Sequence, residues 1–442
     1  MDNPVLKPIP LTARRSAVTM GLLWLTMVTS FPAVLAGFEW YRQGISFNQL
    51  ICCSLISILL LLLYSVPACQ LGASTGLGYC ALGRTIFGRW GAALLAMNLI
   101  WLFVAWYGLT AVLMAQAIIN LFHQHLQLIW LSTICAMLMS FNNFFGFKGV
   151  ANFARFMGGP VLIVWVGYVF FKVLSSPIAT ANTHLPHPTN MYALALTSSF
   201  IIGFAVWGNE QDYWRYSKAG IWRSMIPLLA SFAIGQAVFP MAGWLIARAS
   251  SGTDFGSTAT FMSNYCFGSI AIIGLFIITA DYFSTNDSSL FGCVAALESI
   301  KPLNHSLSVA IFALAGTLVA ALLSLTDMAE SLCAMVSLNC IILPIPTIIM
   351  LTESWLRKQA FHAEISFDPV PDLAELPAVR WPAIIALFAG LIVGIATSGL
   401  ISAFECCHFG ICSLQAWLTS IIVYILLRIY EYNKRESVVT EH

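Results

Sequence analysis

The sequence predicts an all-α polytopic membrane protein with 12 transmembrane helices, and three observations carry that reading. The first is composition. Of 442 residues, 59% are hydrophobic and only 9% are charged, whereas a soluble domain carries about 25% charge. So few charges cannot cover a soluble surface, which excludes a soluble enzyme and a disordered chain. Lys+Arg 20 against Asp+Glu 19 leaves a net charge of +1, so no global field draws a polyanion and no nucleic-acid partner is expected.

The second observation is the set of apolar runs, each near the roughly 20 residues that cross a bilayer as a helix. They fall at 16–37, 48–69, 92–121, 127–145, 154–175, 191–210, 222–248, 267–291, 307–325, 329–351, 381–403 and 411–430. Hydrocarbon offers no water to backbone polar groups, so such runs are helices. The alternating pattern of a membrane barrel is absent from them. The third observation is the placing of the basic residues. With the N-terminus inside, the cytoplasmic side holds Lys7, Arg14, Arg15, Arg84, Arg89, Lys148, Arg155, Arg215, Lys218, Arg223, Lys301, Arg357, Lys358, Arg380, Arg428, Lys434 and Arg435, and the other side holds only Arg42, Lys172 and Arg248. A split of 17 to 3 out of Lys+Arg 20 is a strong positive-inside signal. It places both termini in the cytoplasm and would be scrambled by adding or losing one span.

The elements follow in order. Residues 1–15 form a cytoplasmic tail. The polar lead MDNPVLKPIPLTARR runs into a stretch too long for the apolar part of a signal peptide, so that stretch is read as the first retained span. Residues 16–175 make a first block of five spans and 191–351 a second. Within the second block, the ninth and tenth spans are separated only around Thr326 and Asp327. Residues 352–380, with Glu364, Asp368, Asp372 and Glu375, read as a cytoplasmic linker. Residues 381–430 supply the last two spans and 431–442 a cytoplasmic tail.

The first spans of the two blocks both carry helix breakers. Span 1 has Pro32 and Gly37 in its second half, and span 6 has Gly203 and Gly208 near its cytoplasmic end. Proline removes a helical hydrogen bond and clashes with the preceding turn. Pro and Gly are common in membrane helices, but breaks at matching places in two halves point to an inverted repeat with its binding site at the free backbone groups.

Span 8 holds Asp281, Ser284, Thr285, Asn286, Asp287, Ser288 and Ser289. An ionisable residue inside a span is costly and marks a functional candidate. Asp281, Ser284 and Thr285 share one helical face, and their oxygens suit a small hard cation. A polar cap at the membrane edge is the plainer reading of the same residues. In span 3, Trp106 lies mid-run between Trp101 and Tyr107, where an indole can stack on a flat ring or simply pack.

The twelve Cys form no disulfide framework. Cys52, Cys53, Cys69, Cys80, Cys135, Cys266, Cys293, Cys333 and Cys340 lie in or beside apolar runs and read as small buried hydrophobes. Cys406, Cys407, His408 and Cys412 cluster in ECCHFGIC with a spacing that matches no standard zinc pattern. The chain lacks HExxH and a GxSxG in a suitable setting, and His123, His125, His184 and His187 fall in external loops. No enzyme activity and no cofactor are therefore expected. A ligand sensor without transport is the remaining non-enzyme alternative.

Five segments, taken in order, resemble the nucleobase–cation symporters, the family of cytosine, purine, hydantoin and allantoin permeases. They are PIPLTARRSA at the start, TGLGYCALGRTIFGRWG after span 2, WYG in span 3, QDYWRYSK after span 6 and STNDSSLF in span 8. Bacterial cytosine permeases are the nearest match in pattern. The resemblance implies a LeuT-type 5+5 inverted repeat plus two extra helices. It also implies alternating access driven by Na+ or H+ and location in the bacterial cytoplasmic (inner) membrane. The expected protein is a monomer whose partners are the lipid bilayer and one small heterocycle.

Carried over by position, the resemblance assigns a sodium site to the carbonyls of Phe31, Val34 and Asp281 and the hydroxyls of Ser284 and Thr285. It assigns the planar substrate to a place between Trp106 and span 6 around Ser199, Phe200 and Gly203. The chain departs from cytosine permeases in three ways. Phe103 stands where they carry a base-pairing Gln, Asp281 stands where they carry Asn, and FAVWGNEQ is three residues longer than their span 6. That insertion brings Trp207, Asn209 and Glu210 toward the site, so the substrate edge differs from the one that reads cytosine. A purine, a pyrimidine or a related vitamin precursor such as a protonatable thiamine precursor is the expected ligand. An amino-acid or amine symporter on the same fold is the alternative.

Overall fold

The computed structural model describes residues 6–122, 126–175, 188–250, 270–301, 303–326, 328–362, 367, 369–408 and 410–440. Of the residues singled out above, His123, His125, His184, His187, Cys266, Asp327, Glu364 and Asp368 lie outside them. The helices are α1 (Ala17–Val28), α2 (Phe31–Arg42), α3 (Phe47–Thr75), α4 (Tyr79–Phe122), α5 (Leu128–Met139), α6 (Gly146–Phe153), α7 (Gly159–Ser175), α8 (Asn190–Ala205) and α9 (Glu210–Trp214). They continue with α10 (Ile221–Phe232), α11 (Phe239–Ser250), α12 (Ala271–Ile300), α13 (His305–Leu323), α14 (Met328–Ile342), α15 (Pro344–Gln359), α16 (Trp381–Thr397) and α17 (Cys412–Thr440). Among the described residues there is no strand, only an isolated bridge between Arg15 and Ser217.

Where they are described, the expected apolar runs are mainly helical. Among the described residues, 8 helical segments are long and apolar enough to cross a membrane, or 9 if α1 and α2 count as one bent span. The boundaries differ from those expected. Helix α3 continues to Thr75 rather than ending at 69, and α4 begins at Tyr79 rather than 92. Residues 128–172 form one helical run through the 3-10 turn Phe141–Phe145 and a π-turn at Ala154–Gly158.

The two expected breaks are real: the first falls just before Pro32 rather than after it, and the second falls at Gly208, one of the two glycines expected to carry it. Helix α1 ends at Val28, Thr29 and Ser30 are extended, and α2 resumes at Phe31 with a 48° bend. Pro32 lies in the first turn of α2, where its missing N–H would have been unsatisfied anyway. It therefore opens the second half-helix rather than kinking a continuous one. In span 6, Val206 is extended and Gly208 takes φ +76°, which a side chain resists. The position is also crowded, because a Cβ there would lie 2.5 Å from the Leu343 carbonyl oxygen. Between α14 and α15 only the hydrogen-bond ladder is interrupted: Leu343, before Pro344 and Pro346, keeps helical dihedrals, and residues 331–359 run as one apolar span.

Helix α12 is the centre of the molecule. Every residue from Ser284 to Ala296 is buried, so its polar run faces protein on all sides. This rules out the plainer reading of a polar cap at the membrane edge. Residues 369–380 of the linker are pinned to the N-terminal third of α4. Gly88 breaks that helix with φ +78°, and the freed amides of Arg89 and Trp90 donate to the carbonyls of Pro377 and Ala378 at 3.0 and 2.9 Å. Arg84, buried beside them, donates to the carbonyls of Pro371 and Ser299.

The last helix is held by one buried charge. Glu353 of α15 is 1% exposed and accepts from Arg428 Nε at 2.9 Å and Nη2 at 2.8 Å, from Arg357 Nε at 2.7 Å and from the Tyr424 hydroxyl at 2.8 Å. Breaking a buried pair leaves a charge without compensation. Arg428→Ala is expected to destabilise the protein by about 3 kcal/mol, read as a lower unfolding temperature in micelles, whereas Arg428→Lys should recover only part of it because the fork is lost.

Candidate functional site

Where α1, α4, α8, α12 and α14 meet, a cavity of about 20 Å³ is lined by Met27, Phe103, Trp106, Phe204, Val206, Trp207, Thr285, Ser289 and Asn339. That is room for a single water. Aromatic contacts close it on two sides. Toward α2, Trp106 meets Phe204 edge-on at 5.8 Å, Phe204 stacks on Phe200 at 5.6 Å and 8°, and Phe200 meets Trp40 at 5.7 Å. Toward α9, Phe103 meets Trp207 at 5.5 Å, Trp207 meets Tyr213 at 6.1 Å, and Tyr213 meets Trp24 at 6.1 Å.

The polar groups at the cavity are few and fixed. Asn339 is held by three bonds. Its Oδ1 accepts from Trp106 Nε1 at 3.2 Å, and its Nδ2 donates to the carbonyls of Gly203 at 2.6 Å and Val206 at 2.9 Å. It therefore satisfies two carbonyls freed where α8 ends and sets the plane of the Trp106 indole. Trp207 Nε1 is buried without a protein partner. An indole N–H normally finds an acceptor when buried, so this donor is available to a ligand.

The second half of the site lies at the broken end of α1. The carbonyls of Thr26, Met27 and Val28 have no partner four residues on within the helix, because α1 ends there. Thr285 Oγ1 sits 3.0 Å from the Thr26 carbonyl oxygen and 3.2 Å from that of Asp281. Ser284 Oγ lies beside it, 2.7 Å from the Ala280 carbonyl. Gly158, in the π-turn before α7, has no room for a side chain because Ser284 and Thr26 occupy that space. Carbonyl and hydroxyl oxygens gathered this closely form the hard, uncharged donor set that a small monovalent cation accepts.

Asp281 has a different part. Its Oδ2 accepts from the amide of Phe31 at 3.1 Å, and its Oδ1 is buried without a protein partner. Phe31 is the first residue of α2, whose own N-cap Ser30 makes no capping bond. The carboxylate therefore caps α2 from another helix, where an anion is favoured by the helix dipole.

The other expected residues are distributed as follows. Phe103, Trp106 and Trp207 line the cavity together. Gly203 reaches it only through its carbonyl, while its Cα packs on Val336. Phe200 is one shell out, in the aromatic stack. Ser199 points the other way, bonding the Ala195 carbonyl at 2.8 Å and lying 3.5 Å from Cys412 Sγ on α17. Phe31 and Val34 belong to α2, and the Val34 carbonyl abuts Gly243 of α11. The α1 carbonyl facing Thr285 is that of Thr26, five residues before Phe31. Asn209 donates to Asp212 at 2.9 Å.

Glu210 braces the second break. It accepts from Tyr64 Oη at 2.6 Å and from the amides of Trp207 at 3.0 Å and Gly208 at 3.2 Å. Met27 and Asn339 were not singled out in the sequence, because nothing in their residue type or spacing marks a contact made across the fold. Among the described residues no group of three or more His, Cys, Asp or Glu could hold a metal, and Cys406, Cys407 and Cys412 are free thiols.

This is a LeuT-type fold: a helical membrane protein with two broken helices facing a polar, fully buried one. The full-length likeness is to Mhp1, a nucleobase-cation-symport-1 family transporter in a closed conformation with bromovinylhydantoin bound. It has a TM-score of 0.76 at 15% identity and covers 97% of this chain and 95% of that one. The inward-facing conformation of Mhp1 gives 0.72 at 15% identity, covering 98% and 95%. A Na+-coupled sialic acid symporter gives 0.64 at 14% identity, covering 94% and 90%. All three are structures of transporters, not enzymes. No family model and no curated protein matches the sequence.

Proposed function

We propose that the protein is a secondary active transporter that takes up a planar, nucleobase-like heterocycle together with Na+ or H+. The observation that carries this reading is the adjoining of two sites across one residue. Thr285 lines the aromatic cavity and also places its hydroxyl on the freed Thr26 carbonyl. A cation bound by Thr26, Asp281, Ser284 and Thr285 oxygens would draw α1 and α12 together and so shape the cavity wall formed by Met27 and Thr285.

The cavity chemistry favours a flat ring. Trp106, Phe103 and Trp207 offer aromatic faces and edges, Trp207 Nε1 offers a donor for a ring carbonyl, and Asn339 offers an edge that can re-pair. No ionised side chain lines the cavity, which argues against the amino-acid or amine reading. At about 20 Å³ the cavity holds no heterocycle, so substrate entry requires the Trp106–Phe204–Phe200 or the Trp207–Tyr213 contacts to part. Such gating is what alternating access from the two faces requires. The same reading has the protein work as a monomer in the bacterial cytoplasmic membrane with both termini inside.

The test is uptake in a transporter-deficient host against labelled purines, pyrimidines, hydantoins and thiamine precursors, with amino acids and amines alongside, under separately imposed Na+ and H+ gradients. One heterocycle should be accumulated in a gradient-dependent way. Asn339→Ala and Trp106→Ala should each lower its uptake about tenfold or more, as expected for losing a ring contact and the group that orients it. Accumulation of amino acids or amines alone would overturn the reading.

A further inference from the structure

A second cavity, of about 470 Å³, opens on the outer face between α1, α7 and α10. Its walls are Ala17, Gly21 and Leu25 of α1, Ile163 of α7, and Ile226 and Ala230 of α10, with Trp222 and Arg223 at one end. The two long walls run side by side in the same direction. Gly21 lies against Pro227, with 3.1 Å between a Cβ placed there and the proline Cβ, and Ser231 Oγ donates to the Gly21 carbonyl at 3.3 Å. Both helices therefore begin at the end where Arg223 sits. The groove follows α1 from Ala17 to Leu25, about 12 Å at 1.5 Å per residue.

Charge and polarity are segregated along this groove. The sequences of α1, α7 and α10 contain no Asp or Glu. Arg223 is exposed, its Nη1 only 3.5 Å from the Ala219 carbonyl, and it meets no carboxylate among the described residues. Arg15, one turn before α1, and exposed Lys218, before α10, belong to the same end. Trp222 is 64% exposed beside Arg223, the position that indoles take at the level of lipid headgroups. An apolar slot with a basic, indole-bearing mouth is complementary to a molecule with a hydrocarbon tail and an anionic head.

We propose that this groove is a binding site for one anionic phospholipid, its phosphate on Arg223 and one acyl chain laid along α1 and α10. The wall it fills is the half-helix whose far end presents Thr26 to Thr285, so the lipid would bias the position of α1. A basic residue near a membrane surface contributes about 1 kcal/mol toward an anionic headgroup, a factor of about five in occupancy.

The purified full-length protein is titrated with dioleoylphosphatidylglycerol or dioleoylphosphatidylcholine in detergent and read by native mass spectrometry, with no transport assay involved. The phosphatidylglycerol adduct should exceed the phosphatidylcholine adduct and fall about fivefold in Arg223→Gln. It should recover in Arg223→Lys, persist in Lys218→Gln and disappear in Ala230→Trp, which fills the groove. Equal retention of the two lipids overturns the proposal. So does a preference unchanged in Arg223→Gln, or a lipid-free dimer that Ala230→Trp dissolves, which would assign the groove to a second copy of the chain.

Discussion

Thr285→Ala is expected to weaken cation stimulation of uptake by about ten- to a hundredfold in half-saturating concentration while the protein stays folded. The residue is buried and its hydroxyl is the point where α12 touches the broken end of α1. Removing a hydrogen-bonding or ligating oxygen from a charged partner costs about 1.5–3 kcal/mol, which is the stated range in affinity. The loss to folding is smaller, about 1 kcal/mol for one neutral bond.

Thr285→Ser keeps the oxygen and should keep the coupling. Uptake by Thr285→Ala with an unchanged cation requirement would remove Thr285 from the site. Measuring the dependence separately for Na+ and H+ also identifies which ion moves.

The second large effect concerns Glu210. Three donors converge on its carboxylate from Tyr64, Trp207 and Gly208, and the residue is fully buried. Glu210→Ala strands all three and should destabilise the protein by about 3–5 kcal/mol, as removing one partner from a buried charged network does. The loop 206–209 would lose its shape, Trp207 would leave the cavity wall, and uptake would disappear.

Glu210→Gln retains an acceptor for the two amides, and Tyr64 can turn its hydroxyl to accept. That variant should unfold within a few degrees of the parent and still transport. The pair of variants separates two roles. A substrate contact would show as altered selectivity in Glu210→Gln at unchanged unfolding temperature, and a brace as lost stability in Glu210→Ala alone.

Glu210 also shows how far residue types can be read without coordinates. A carboxylate inside an apolar run is conspicuous because burying it unpaired is expensive. Asp281 was visible as special on that ground, and Glu210 through the longer FAVWGNEQ segment, but the reason for their presence was not. Each satisfies backbone amides at a helix break, one at the start of α2 and one at the turn before α9. Such amides are invisible in a sequence because every residue but proline carries one.

The proposed cation site differs from the one the resemblance implied for the same reason. Pro32 and Gly37 marked the neighbourhood of the first break, but a proline fits the first turn of a helix as readily as it ends one. The freed carbonyls therefore fell at Thr26–Val28 instead of at Phe31 and Val34. Ser199 faced α17 for a further reason. A slip of one residue along α8 turns a side chain by about 100°, a consequence of 3.6 residues per turn.

What the sequence settled alone was everything that depends on the cost of transferring groups into hydrocarbon. That covers the helical membrane class, the apolar runs, the polar centre of α12 and the presence of two interrupted helices. These follow from composition and order because a backbone or a charge in a bilayer has few permitted states. The tertiary structure decided which oxygens face one another across α1 and α12, that Asn339 orients Trp106, and that Asp281 and Glu210 brace the two breaks. Those are contacts between residues more than a hundred positions apart in most cases. Their partners are chosen by packing, which no local pattern of residues encodes.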